Sequence, residues 1–182
     1  MYDHVDDFDY DLPASLIAQF PPQCRTDSRL LVSLTNDQPL KHAQFSDVLY
    51  FIHPNDLVIF NDTRVMQARL YGQKKSGGKV SALIERVLND HHALVHVKSS
   101  HAPKPGVVIR FENAFDACVI ARQDDLFELE FLTDQTILTL LEQHGRLPLP
   151  PYITRDVKPD DLSRYQTIYA NTLGAVAAPT AG

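Results

Sequence analysis

Four consecutive polar residues, Asn61, Asp62, Thr63 and Arg64, follow directly on the apolar run Leu57-Val58-Ile59-Phe60. If that run is a buried strand, they lie at the carboxyl edge of a sheet, where open α/β sheets bind ligands. Asn61 and Thr63 bring hydrogen-bonding groups, Asp62 a proton acceptor or an anion, and Arg64 a planar fork for phosphate or carboxylate. An Asx turn that bonds its own backbone is the structural alternative for Asn61 and Asp62. A second constellation joins the run Leu147 to Ile153, stiffened by Pro148, Pro150 and Pro151, with Arg155 and then Arg164 to Tyr169. Tyr152 and Arg155 are held rigidly by such a backbone, and Tyr165 and Tyr169 share a face if their segment is helical. Aromatics beside arginines suit a stacked base with a phosphate nearby, whereas tyrosines packed in a core are the alternative.

Two further segments carry backbone chemistry. Lys74 to Lys79 reads KKSGGK, which offers backbone N–H groups and positive charge to a phosphate. It lacks the G-x-x-x-x-G-K-[ST] spacing of a P-loop, so an ordinary hairpin turn competes. Gly174 to Gly182 reads GAVAAPTAG, a string of small residues that lets backbone approach a ligand closely. An end at Gly182 is expected to cut through a binding motif. No Ser-His-Asp order, paired catalytic carboxylates or Cys-His dyad is visible.

These segments need elements to position them. Pro13 at a first turn predicts a short helix over Ala14 to Phe20, and Leu30 to Leu34 reads as a strand. Ser46 is placed to cap a helix over Asp47 to Ile52, closed by Pro54, before the buried strand Leu57 to Phe60. That alternation predicts an α/β layer. Then six strand-like runs recur without a helix: Val65 to Tyr71, Val80 to Leu88, Ala93 to Val97, Val107 to Phe111, Ala117 to Ala121 and Leu126 to Phe131. They predict a small closed all-β barrel of about six strands. Thr133 or Asp134 is expected to cap a helix over Gln135 to His144, ended by Gly145. The resulting fold class is an incomplete α/β domain (1–66 and 149–182) with the barrel inserted at 67–148.

Composition narrows the function classes. At 182 residues with 44% hydrophobic content, the chain can bury a real core. No apolar run approaches the roughly 20 residues of a membrane helix. Met1 to Asp11 holds five aspartates and no Lys or Arg, unlike a secretory or mitochondrial signal. Cys24 and Cys118 have no C-x-x-C spacing and the histidines no metal spacing, so a reduced cytoplasm and no metal are expected. The net charge of −6 is unevenly spread: nine Lys/Arg against two acids between Arg64 and Arg110 make that segment +7 and the rest −13. Screening beyond about 8 Å leaves such a basic face able to hold a nucleic-acid backbone. Arg69, Lys74, Lys75, Lys79, Lys98 and Lys104 are the candidate phosphate contacts. Lysines guarding the edges of a solvated sheet are the alternative.

The segments DLPASLIAQFP (Asp11 to Pro21), DSRLL (Asp27 to Leu31), NDLVIFNDTRVMQARLYG (Asn55 to Gly72), SGGKV, APKPG, LPLPPYITR, YQTIYA and GAVAAPTAG occur in that order. Together they make the chain strongly resemble the S-adenosylmethionine:tRNA ribosyltransferase-isomerases of queuosine biosynthesis. The resemblance departs at Met66-Gln67, where the family has Ile-Pro, and at Ser81, where a Glu is common. It implies a chain about half the family's length, expected to be inactive alone. It also implies transfer and isomerisation of the ribosyl group of S-adenosylmethionine onto 7-aminomethyl-7-deazaguanine in a tRNA anticodon. Asn61, Asp62, Thr63 and Arg64 with Ala178, Pro179, Thr180 and Gly182 would wall the pocket. Tyr152, Arg155, Tyr165 and Gln166 would grip cofactor or base, with Asp62 and Tyr165 moving protons. A full-length monomer acting without a membrane is expected. The rival class is a non-catalytic tRNA-binding module using the basic barrel face, with salt-sensitive binding and no affinity for S-adenosylmethionine.

Overall fold

The computed structural model of the chain describes residues 4–33 and 39–178. Contacts divide it into two compact units, Met1–Ile59 with Pro151–Arg155, and Phe60–Pro150 with Asp156–Gly182.

In the first unit, β1 (Arg29–Val32) pairs antiparallel with β2 (Lys41–Gln44), so the apolar run at Leu30 is a strand. The expected helices are shorter and tighter. Ala14–Leu16 is a single 3-10 turn without a side-chain cap. Seven residues closed by Pro21-Pro22 are too few to offset the cost of helix nucleation. Phe45–Phe51 is a 3-10 helix, and its cap is not Ser46: the Asp47 carboxylate accepts a hydrogen bond from the Gln44 backbone N–H at 2.9 Å. The run Leu57 to Phe60 is not a buried strand. It has no strand partner among the described residues, and Leu57 and Ile59 are 87% and 84% exposed. The α/β character is thus only partly present, with few helices.

The second unit is built on the barrel. The chain first forms β3 (Thr63–Val65), then β4 (Arg69–Lys74), β5 (Lys79–Val87), β6 (His92–Ser99), β7 (Val108–Phe111), β8 (Phe115–Gln123) and β9 (Leu126–Phe131). Strands β4 to β9 close in the order β4-β5-β6-β9-β8-β7, all antiparallel. Residues alternate inward and outward, as in β9, where Phe127, Leu129 and Phe131 are buried between polar neighbours. The run Val65 to Tyr71 is divided, because Val65 belongs to β3 and Met66 to Ala68 turn the chain into the barrel.

Helix α1 (Ile137–His144) covers the rim formed by the start of β4, the β5–β6 turn and the β7–β8 turn. The Ile137 N–H donates to the Asp90 carbonyl, and His144 lies 5.8 Å from the Phe115 ring. Its cap is Thr136, whose hydroxyl accepts from the Thr139 N–H, because Thr133 is held in a local turn by Gln135. Ile137, Leu140 and Leu141 join the barrel core, while Leu138 stays 45% exposed. Gly145 does end the helix, but with φ −65° rather than a left-handed turn. It is required because a Cβ there would collide with the Gln67 and Leu141 carbonyl oxygens. The turn KKSGGK is a β4–β5 hairpin with Gly77 at φ +86°, at the rim opposite α1.

Candidate functional site

After the barrel the chain passes through α2 (Asp161–Arg164) and then forms β10 (Thr172–Ala175), parallel to β3. The parallel pair brings Asn61–Arg64 beside the small-residue string at Gly174. The Asp62 carbonyl accepts hydrogen bonds from the Asn171 and Thr172 N–H groups at 2.7 and 3.1 Å, and the Met66 N–H donates to the Ala175 carbonyl at 2.8 Å. Asn61 forms the Asx turn: its Oδ1 accepts from the Thr63 N–H at 2.9 Å and the Thr63 hydroxyl at 2.6 Å. That turn fixes the backbone and leaves the exposed Asp62 carboxylate and Arg64 guanidinium projecting from an anchored strand.

The other edge of β3 is closed by a side chain. In a parallel pair a residue's N–H and C=O point to the same side, and those of Val65 point away from β10. The Gln166 carboxamide meets both: its Oε1 accepts from the Val65 N–H at 2.9 Å and its Nε2 donates to the Val65 carbonyl at 2.8 Å. One amide thus stands in for the peptide group of a further strand. Gln166 is placed by the single turn of α2, which starts where the buried Asp161 carboxylate accepts from the Lys158 N–H at 2.8 Å. Tyr165 closes that turn and is half-buried. Tyr169 packs edge-on against Phe60, ring centroids 4.9 Å apart.

A cavity of about 370 Å³ opens between β3, β10, α1 and α2. Leu138, Leu141, Leu147, Leu162 and Leu173 wall it, and Arg64, Glu142 and Gln166 supply its polar groups. Sequence reasoning missed Glu142 and Leu162. The one signal available for the wall was Leu138, an apolar helix position left outside the barrel core.

Tyr152 and Arg155 belong to the first unit, where Gln19 holds them. Its Nε2 donates to the Tyr152 carbonyl at 3.0 Å, its Oε1 accepts from the Thr154 N–H at 2.8 Å, and Arg155 Nε donates to the Gln19 carbonyl at 2.6 Å. The Arg155 guanidinium also lies 4.4 Å over the Phe20 ring. Gln19 and Phe20 fall within the DLPASLIAQFP segment, which was the available signal for them. Ala178 is half-buried just after β10, whereas Pro179, Thr180 and Gly182 lie outside the described residues.

The profile of the queuosine biosynthesis proteins matches residues 5–182. The chain belongs to that family. Among solved structures it is similar to the S-adenosylmethionine tRNA ribosyltransferase of Thermotoga maritima, at 25% identity and a TM-score of 0.39, over 92% of this chain and 56% of that one. The chain therefore spans little more than half that protein's length, and so loose a superposition adds nothing to the family assignment.

In this queuosine biosynthesis protein the basic residues fall into two places. Lys74, Lys75 and Lys104 line one groove of about 460 Å³ between the β4–β5 turn and the 102–107 loop, with Lys74 Nζ donating to the His101 carbonyl at 2.7 Å. Lys79 and Lys98 lie on β5 and β6 at the same end of the barrel. Arg69 starts β4 at the α1 rim, about 17 Å away at roughly 3.3 Å per residue. No group of three candidate metal ligands occurs among the described residues, and no helix there is long and apolar enough to cross a membrane.

Proposed function

We propose that the complete protein transfers and isomerises the ribosyl group of S-adenosylmethionine onto 7-aminomethyl-7-deazaguanine at the tRNA wobble position. The product is epoxyqueuosine-tRNA, and adenine and methionine leave. The observation that carries this reading is the family match over residues 5–182. The β3–β10 edge supports it, because exposed Asp62 and Arg64 stand there beside small-residue backbone. In this reading the α/β parts are 1–66 and 149–182, with the barrel inserted at 67–148.

The sulfonium makes the ribose C5′ protons acidic, so the reaction needs a base there and a proton donor for departing adenine. The Asp62 carboxylate is the base in this account. It makes no side-chain hydrogen bond or ion pair among the described residues, and its main chain is fixed by Asn171 and Thr172. Tyr165 is the donor. Gln166 holds β3 in place, so its role is positioning. The base of the tRNA must leave its stack to reach such a site, and the lysine groove at the opposite rim carries the backbone.

The test is adenine release from S-adenosylmethionine by the complete protein. Release that requires tRNA bearing 7-aminomethyl-7-deazaguanine is expected, and Asp62→Asn should lower its rate by about 100-fold. Salt-sensitive tRNA binding with no adenine release would leave the binding-module reading instead, which the lysine groove favours.

A further inference from the structure

The Leu-walled cavity beside Arg64 has features that the stability of the fold does not explain. Leu138, Leu162 and Leu173 are 45%, 49% and 42% exposed, yet all three face one concavity instead of scattering over the surface. At its edge stand two opposite charges, Arg64 and Glu142, neither of which makes an ion pair or side-chain hydrogen bond among the described residues. Glu142 is also poorly placed for its helix. It lies in the last turn of α1, where the helix dipole disfavours an anion. An apolar pocket with one unpaired cation and one unpaired anion is complementary to a zwitterion carrying an apolar side chain.

We infer that this cavity binds the α-amino acid end of the ribosyl donor, and equally the free amino acid that leaves after reaction. The inference rests on the reading above for the donor's identity. Arg64 presents two parallel N–H donors to the α-carboxylate, a geometry that favours carboxylate over other anions. Glu142 accepts from the α-ammonium, which also offsets its position against the dipole. The leucines take the two methylenes of the side chain, with the donor's sulfonium, or the thioether of the free amino acid, towards the mouth of the cavity. At about 370 Å³ the cavity sits near the lower end of the roughly 300–1,000 Å³ typical of ligand pockets. It therefore suits one end of the donor, with the nucleoside outside, towards Asp62 on the preceding turn of chain. Gln166, with both amide groups engaged by Val65, forms wall and makes no ligand contact.

The experiment is titration calorimetry on the complete protein with three probes: S-adenosylmethionine, L-methionine, and 5′-methylthioadenosine, which keeps the nucleoside and lacks the amino acid. Arg64→Gln and Glu142→Gln are exposed substitutions whose folding is checked by an unchanged melting curve. Each is expected to weaken S-adenosylmethionine and methionine by about tenfold or more, and methylthioadenosine by less than about twofold. Equal weakening of all three probes, or unchanged binding of S-adenosylmethionine in both variants, overturns the inference while leaving the proposed reaction intact. Methionine bound through both charges with no affinity for S-adenosylmethionine does the reverse: the zwitterion pocket stands and the proposed reaction falls.

Discussion

Replacing Gln166 by Leu keeps most of the side-chain volume and removes the only groups among the described residues that meet the Val65 N–H and carbonyl. Val65 is 4% exposed, so neither group regains water without local opening. A buried polar group left unsatisfied costs about 1–3 kcal/mol, and two would cost about 2–6 kcal/mol if both stayed dry. The carbonyl keeps a second lone-pair direction and local opening admits water at limited cost, so we take the lower end, about 2 kcal/mol, or roughly 30-fold. The assay is amide hydrogen exchange read on a peptide spanning residues 61–67, with peptides from β8 and β9 as internal references. The Val65 amide should exchange roughly 30-fold faster in Gln166→Leu, with the barrel peptides unchanged. Gln166→Glu keeps an acceptor for the N–H but sets a second oxygen against the carbonyl, so it should restore only part of that protection near neutral pH. Wild-type protection of Val65 in Gln166→Leu, or an equal rise in exchange across the barrel, would refute the claim that one side chain holds this strand edge.

Other perturbations read other parts of the account. Gly145→Ala forces a Cβ into the Gln67 and Leu141 carbonyl oxygens, which are backbone and cannot swing away, so thermal unfolding should report a loss of about 3 kcal/mol or more. Glu112 accepts from the Tyr71 N–H at 2.7 Å and from Arg146 at 3.0 Å, with its side chain 9% exposed against 59% for Arg146. Denaturant midpoints should therefore fall further for Glu112→Ala than for Arg146→Ala, because the former removes the acceptor of the strand N–H as well as the ion pair. The hydrogen bond to Glu112, with its charge, holds the Arg146 guanidinium above the ordinary arginine value. A raised value in the folded state means that its contribution is complete below the ordinary arginine range and is lost only at higher pH. Stability measured between about pH 6 and 9 should thus show no step from Arg146. Lys104→Ala should lower the slope of log binding constant against log salt for tRNA by about 0.7–0.9 and weaken binding uniformly across tRNA sequences.

The barrel was legible because each strand carries its own evidence. Leu126 to Phe131 alternates apolar and acidic residues after the Asp124-Asp125 turn, and β9 has those same limits. The run Leu57 to Phe60 is more apolar still, yet it is exposed: hydrophobicity states that a segment favours burial and says nothing of what pairs with it. The α1 cap slipped from Thr133 or Asp134 to Thr136 because three neighbouring polar residues compete and only tertiary contact with Asp90 selects among them. In the candidate site, the two motifs Asn61–Arg64 and the string from Gly174 were each readable. Only the family resemblance joined them, through Ala178, Pro179, Thr180 and Gly182, and the pairing seen is with Thr172–Ala175. The pairing of Gln166 with Val65 was not readable, since it joins residues 101 apart through a side chain that imitates backbone. Glu142 was hidden for a different reason: a glutamate on a helix reads as a solvated face until the cavity beside it is seen.

The most direct test of the proposed reaction is mass spectrometry of both products after a single turnover on tRNA bearing 7-aminomethyl-7-deazaguanine, with the donor's methyl group isotopically labelled. The account predicts a modified nucleoside heavier by the transferred ribosyl group, with the label retained on free methionine and adenine formed in equal amount. Label appearing in the tRNA as a methyl group, or a tRNA of unchanged mass, would contradict it.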